Sequence, residues 1–330
     1  MLLKDILGFC MNDTWPRAYA CYNSDLNIRM DSTSGGIFTS IAQHLMDEYG
    51  AIVYGAAFDT EFKVVHIRCT DSEGIKKLRG SKYPQSFLGN TFSLVREDLK
   101  KGNTVLFTGT PCQVAGLRAY LGTDYEKLYT LDFVCHGVAS PLVWKDYLEG
   151  ISDKYGEIKR IVFKYKLHGW KKWYFLIEAK NGELKRRGTM TPFMRSYLQY
   201  DNIRPSCYSC HFKGLDRKSD FTISDCWGLG ENDKELNDNK GLSALLLNNE
   251  KSQGIFDEMK DSLKSKSYDA YELMKDNWTT FYSVKRGKKR DAFFQLVEKE
   301  NGYAALRKKY TPGAKEWIIY YLKRITGADR

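Results

Sequence analysis

Four cysteines in turn-like settings carry the clearest chemistry in this sequence. Cys112 stands in Gly109-Thr110-Pro111-Cys112-Gln113, and Cys135 in Phe133-Val134-Cys135-His136-Gly137. Cys207 and Cys210 form the Cys-x-x-Cys of Arg204-Pro205-Ser206-Cys207-Tyr208-Ser209-Cys210. Four thiolates at loop positions match the ligand count of a 4Fe-4S cluster, and equally that of a structural zinc. Spacing does not separate the two, because both accept four thiolates. The other four cysteines, Cys10, Cys21, Cys69 and Cys226, lack ligand-like spacing and read as small hydrophobes. Eight Cys in 330 residues make no disulfide framework.

Further groups stand close to these in the chain. Ser34-Gly35-Gly36 at a helix start offers backbone N–H groups to a phosphate, with a plain tight turn as the ordinary alternative. Lys82, in the Gly- and Pro-punctuated loop Arg79 to Gln85, can serve a phosphate or an anionic flavin; the default is a surface lysine. His136, next to Cys135, can donate a proton, orient a ligand or simply fill a loop. Asp220 and Asp225 flank a strand, where caps are the common explanation. The chain contains no G-x-G-x-x-G and no P-loop, so standard dinucleotide and triphosphate sites are unsupported.

The elements that position these groups follow from periodicity. Ile37, Ile41 and Leu45, with Phe38, Ala42, Met46 and Tyr49, recur at helical spacing after a Ser32-Thr33-Ser34 cap, and Gly50 ends that helix. Ala51 to Phe58, Val64 to Ile67, Thr104 to Phe107 and Leu128 to Val134 read as strands. Phe92 to Lys101, Gln113 to Leu121 and Pro141 to Tyr155 read as helices, the last opened by Ser140-Pro141. This βαβα order predicts parallel strands with right-handed crossovers, and ligands in such sheets bind beyond the carboxyl edge. Cys112 and Cys135 both follow strand ends, so they are expected on one edge. After Ile158 the pattern changes: Lys159 to Lys166 and Trp173 to Ala179 are strands, Asn181-Gly182 turns a hairpin into Glu183 to Arg187, and Pro192 to Tyr200 is helical. Phe221 to Ser224 and Leu242 to Leu247 are short strands, and the remainder is helical and polar. The expected class is α/β with mixed α+β character. It has a parallel sheet in 1–155, a smaller hairpin-containing part with the Cys-x-x-Cys in 156–250, and a basic helical region in 251–330.

Composition bounds the rest. Hydrophobic residues make up 42% and charged residues 28%, ordinary for a globular protein. No apolar run approaches the ~20 residues of a membrane span. Met1 to Cys10 has no signal-peptide layout, which predicts a cytoplasmic protein. The net charge is +10, and residues 281–330 alone hold 13 Lys and Arg against 5 Asp and Glu, a net of +8. A solvated basic helix explains this, as does a docking surface for an acidic electron carrier or an anionic membrane. No recognition motif accompanies the charge, so no nucleic acid is expected.

Seven segments together resemble the beta-subunit family of the deazaflavin-coenzyme hydrogenases and dehydrogenases. They are STSGGIFTSIAQHLMDEYG, VYGAAFD, LRGSKYPQS, VLFTGTPCQVAGLRAYL, LDFVCHGVASPLVWKDYL, RPSCYSCHFKGLDRKSDFTISDCWG and KGLSALLLNN, running in order from about residue 18 to about 250. The resemblance implies a flavoprotein with FAD and a 4Fe-4S cluster that exchanges electrons with the flavin, and a hydride-accepting substrate. By motif matching it implies Cys112, Cys135, Cys207 and Cys210 as cluster ligands. Ser34, Gly35, Gly36, Ser81, Lys82, Gly109 and Thr110 become flavin contacts, with Lys82 and His136 as catalytic groups. Related bacterial proteins accompany surface-polysaccharide synthesis, which makes a nucleotide- or lipid-linked sugar the expected substrate. Many of them begin with a ferredoxin module; here the N-terminus has only Cys10 and Cys21. A separate donor such as a ferredoxin or flavodoxin is therefore expected. The reading from another class is a scaffold in a biosynthetic complex, with structural zinc or a cluster without turnover.

Overall fold

The computed structural model describes residues 15–229 and 235–325. Cys10 and the Met1 to Cys10 segment lie outside them. Two sheets organise the chain. Strands β1 (Arg17–Asn23), β2 (Ile52–Phe58), β3 (Val64–Cys69), β4 (Val105–Thr108) and β5 (Leu128–Phe133) come first. Then follow β6 (Ile158–Tyr165), β7 (Tyr174–Ala179), β8 (Gly182–Arg187), β9 (Phe221–Asp225), β10 (Ser243–Leu247) and β11 (Leu263–Tyr268). The main sheet has eight strands in the order β11-β1-β10-β9-β5-β4-β2-β3, and β6-β7-β8 form a separate antiparallel sheet.

The expected parallel arrangement holds for β2, β4, β5 and β9. On either side of it the sheet is antiparallel: β3 folds back on β2, and β1 lies between β10 and β11. The strands β1 and β11 were not expected. The β11 sequence Leu-Lys-Ser-Lys-Ser-Tyr is nearly all polar because it is an edge strand, where lysines protect unpaired backbone groups. The main sheet thus takes strands from both sides of residue 158.

Each face of the main sheet is covered, as burial of its apolar strands requires. Helices Ile37–Tyr49 and Glu250–Met259 pack Ile37, Ile41, Leu45, Ile255 and Phe256 against Val53, Leu106, Leu131 and Leu245. Helices Thr91–Lys100 and Pro111–Leu121 pack Val95, Leu99, Val114 and Leu117 against Tyr54, Val105 and Phe107 on the other face. The second sheet has its own core, where Phe163 and Phe175 meet Trp144, Tyr147 and Phe193 from helices Pro141–Tyr155 and Pro192–Leu198. Each such aromatic contributes about 1.5–3 kcal/mol by burial, and Phe58 of β2 stacks on Phe163 of β6 where the two sheets meet.

Two local details differ from the sequence expectation. The helix Ile37–Tyr49 is not capped by Ser32-Thr33-Ser34. Its cap residue is Gly36 in the left-handed region (φ 89°), and among the described residues no side chain caps it. The Ser32 and Ser34 hydroxyls instead donate to the Ile28 and Leu242 carbonyls. The helix expected from Gln113 begins at Pro111, so Cys112 sits in its first turn. Proline is favoured at that first position because it lacks only an N–H that the helix leaves unpaired.

Candidate functional site

Parallel strands present their following loops on one edge, and here the loops after β4 and β5 open on a pair of adjoining cavities. The first has a volume of about 880 Å³, and all four motif cysteines line it: Cys112, Cys135, Cys207 and Cys210. The second has about 400 Å³, and Ser34, Gly36, Ser81, Lys82, Gly109 and Thr110 line it. Thr110, Cys135, His136 and Gly137 belong to both walls. Both volumes fall within the ~300–1,000 Å³ of ordinary ligand sites.

The cysteine wall is assembled from three places. Cys112 is exposed on the helix after β4, and its Sγ lies 3.1 Å from the Thr110 hydroxyl. Cys135 follows β5; the Gly137 N–H points at its Sγ, 3.3 Å away. Cys207 lies in the 3-10 turn Pro205–Ser209, with Cys210 as the residue that ends it. Gly137 has φ +117°, and a Cβ there would stand 3.2 Å from the Cys207 Cβ, so a glycine is what lets the two loops approach. Burial pushes the Cys135 thiol up to about 12 and raises Cys207, with like-charge effects among Cys112, Cys135, Cys207 and Cys210 adding to it. Lys213 stands beside this set, its Nζ donating to the Cys135 and Thr279 carbonyls at 2.7 Å each. Among the described residues, no group of three or more His, Cys, Asp or Glu already stands at metal-holding distances. The donor set in one wall, four thiols with an N–H aimed at sulfur and a cation beside them, suits a cluster in kind.

The second cavity is a cradle in which polar groups are set among apolar walls such as Phe38, Leu131 and Trp173. The uncapped start of helix Ile37–Tyr49 meets it through Gly36, Ile37 and Phe38. First-turn N–H groups without a cap, together with the helix dipole, make an anion site. Gly35, expected beside them, does not line the cavity. Its N–H goes to the Ser243 hydroxyl, and a Cβ would stand 2.6 Å from the Cys21 carbonyl oxygen, so it is a glycine because strand backbone passes close behind it. Gly109 gives its N–H to Leu131 in the sheet, and Thr110 gives its own to Gln113. Ser81 is tied to Thr33 through both its N–H and its hydroxyl.

Lys82 is half-buried rather than a free surface lysine. Its Nζ donates to the carbonyls of Leu78, Arg79 and Gly80 at 3.0, 3.1 and 3.2 Å, closing the end of helix Ser72–Leu78. Burial lowers its pKa to about 7, while three carbonyl acceptors favour the ammonium. His136 is pulled down to about 4, first by burial and then by Lys164 and Lys213, so its imidazole is neutral at pH 7.

Several groups that sequence reasoning passed over complete the cradle. Lys164, on β6 of the second sheet, pairs with Asp225 at the end of β9 and hydrogen-bonds the Tyr83 hydroxyl. Attraction from Asp225 and Tyr83 outweighs burial and raises its pKa. Lys166 pins the Ser34 loop by donating to the carbonyls of Arg29, Ser34 and Lys240. Arg79 donates to the Thr39 hydroxyl and, with Lys82, adds positive charge to this wall. His66 gives its Nε2 to the Thr108 carbonyl, and its buried Nδ1 has no partner among the described residues. For Lys164 and Lys166 the one available signal was two lysines spaced two apart on a strand whose neighbours are apolar. Of the remaining cysteines, Cys21, Cys69 and Cys226 are buried in apolar cores, as their spacing suggested.

A model described as coenzyme F420 hydrogenase/dehydrogenase, beta subunit N-term, matches residues 18–90, and its C-terminus counterpart matches residues 102–270. The chain belongs to this beta-subunit family. Membership makes it an oxidoreductase by family, with an electron-transfer role. A similar fold is found in a chain of the F420-reducing [NiFe] hydrogenase complex from Methanosarcina barkeri, solved as a xenon derivative. The two share 17% identity and a TM-score of 0.50 over 88% of this chain and 89% of that one, a likeness of fold alone. No curated protein matches the chain. Among the described residues, no helix is long and apolar enough to cross a membrane.

Proposed function

We propose that this protein is a cytoplasmic iron-sulfur flavoprotein that passes electrons between a 4Fe-4S cluster and FAD to reduce or oxidise a small molecule. One observation carries the reading: the four-thiol wall and the cradle share Thr110, Cys135, His136 and Gly137. A cluster on one side and a flavin on the other would be separated by little more than that shared wall.

In this reading Cys112, Cys135, Cys207 and Cys210 hold the cluster, and the Gly137 N–H and Lys213 offset its negative charge. The start of helix Ile37–Tyr49 takes the diphosphate, with Arg79 and Lys82 adding positive charge. Ser34, Ser81, Gly109 and Thr110 form the remaining contacts. A bound flavin supplies the exchange between single electrons and a hydride. The chain's own part is to exclude water, fix the ring and handle protons. His136 was expected to donate one, yet burial holds it neutral. The Tyr83 hydroxyl, hydrogen-bonded by the Lys164 ammonium, lines the same cavity and is a second proton donor there, with burial raising its pKa and Lys164 working against that.

By family association the substrate is a nucleotide- or lipid-linked sugar in surface-polysaccharide synthesis, and the electron donor is a separate ferredoxin or flavodoxin. The match to a chain of a hydrogenase complex supports protein partners. We assign the cradle mainly to residues 1–155, the Cys-x-x-Cys to 156–250 and partner contacts to 251–330. Anaerobically purified protein tests the core of this reading. A flavin band near ~450 nm and a broad shoulder near ~400 nm are expected. Iron and sulfide should be about four each per chain. Colourless protein with stoichiometric zinc would mean a structural metal site instead.

A further inference from the structure

The helix Ala314–Ile325 turns one side to the protein and a different one to solvent. Tyr320 is buried, Trp317 is half-buried under the Arg186 guanidinium (4.6 Å), and Glu316 pairs with Arg195 at 2.8 Å. On the opposite side Ile318 is 59% exposed, Ile319 43%, Tyr321 52% and Leu322 55%. Four large apolar side chains within five consecutive residues of the helix are thus largely exposed. Isolated exposed hydrophobes are ordinary, but a contiguous ridge of them marks an interaction surface.

We propose that this helix lies in the interface of an anionic membrane and seats the protein there. Three features favour lipid over a protein partner. The apolar side chains project as a convex ridge, which a deformable lipid interface accepts, whereas a rigid partner needs a matching groove. Lys315 and Lys323 stand on the helix beside the ridge, and Glu316, the helix's one acidic residue, is paired with Arg195 on the side facing the protein, so it does not offset them. Residues 281–330 carry most of the chain's net positive charge, +8 of the overall +10. An apolar ridge bordered by lysines, with Tyr and Trp at its margins, is the composition of helices that lie flat at the headgroup level. The inference uses neither cavity and does not depend on the cofactors.

The test is co-sedimentation of the full chain with vesicles. Binding is expected to phosphatidylglycerol vesicles at low salt, with release at about 0.5 M salt, where charges are screened within a few ångströms. Little binding is expected to pure phosphatidylcholine. The double variant Ile318→Asp/Ile319→Asp should bind anionic vesicles at least tenfold more weakly, and Lys315→Glu/Lys323→Glu should flatten the salt dependence. Thermal unfolding of each variant should stay near that of the unsubstituted chain, since the altered side chains are exposed. The proposal fails if the native chain stays in the supernatant with phosphatidylglycerol, or if Ile318→Asp/Ile319→Asp sediments as well as the native chain. Lipid-independent dimerisation abolished by that same variant would also overturn it, assigning the ridge to a second copy.

Discussion

The two cavities share a wall but are built by different means. The cradle is stiff before any ligand arrives: Lys82 and Lys166 each hold three carbonyls, Lys164 holds Asp225, and Ser81 is tied to Thr33. In the cysteine cavity the loops are braced at the backbone, with Lys213 tying the Cys135 and Thr279 carbonyls and Ser283 holding Cys210 through its N–H and carbonyl. The sulfurs themselves, among the described residues, meet little beyond the Gly137 N–H at Cys135 and the Thr110 hydroxyl at Cys112. An organic anion needs donors fixed in advance, because reorganising them costs affinity. A metal site can leave ordering to ligation, because binding energy at thiolates is itself folding energy.

The sharpest way to break this contrast is Cys207→Ser, which should abolish bound iron while leaving the cradle's flavin in place. Cys226→Ser, in the apolar core, should keep full iron and show only the modest destabilisation of a buried hydroxyl, about 1–3 kcal/mol. Equal iron loss in both would show that the thiol wall is not the ligand set.

Next in size is Lys164→Met. It strands the Asp225 carboxylate beside Trp170, and removing one member of a buried pair costs about 3–5 kcal/mol. Lys164→Met combined with Asp225→Asn should recover much of that in urea unfolding. Two additive losses would mean that the pair is not coupled.

Gly36→Val should lower flavin occupancy together with stability by about 1–3 kcal/mol, the cost of holding a non-glycine residue in a sparsely populated backbone region. Its Cβ would meet Asn23 at 3.2 Å, so the loss comes from a displaced helix start. Unchanged flavin content in a folded Gly36→Val protein would remove the helix N-terminus from the site.

Another effect concerns pH. Burial lowers the His66 pKa from 6.5 to about 4. Between those values the unfolded chain takes up a proton that the folded one refuses, so stability falls as pH drops from about 6.5 to about 4. His66→Gln should flatten that part of the stability–pH curve; an unchanged slope would show that His66 is not held neutral.

How much of this was legible in the sequence varies by element. Helix Pro141–Tyr155 matched its expected limits, because Ser140-Pro141 at one end and Gly156 at the other are local signals. β11 was missed because an edge strand carries lysines that look like loop. Arg79 and the Lys164–Asp225 pair were missed for another reason: each acts through a partner distant in the chain, 61 residues away in the case of Asp225. Residue type alone gives such a lysine no mark.

The sequence by itself determined the four thiols, the glycines at the helix start and the βαβα order that sends two loops to one edge, since each is a local property of chain chemistry. Tertiary structure alone decided that β9 and β10 return to the first sheet and that β6 brings Lys164 to the cradle. It also turned the Lys82 ammonium onto its own loop and Gly35 towards the strand behind it. Those outcomes depend on which surfaces must be buried together, and that is settled only when distant segments meet.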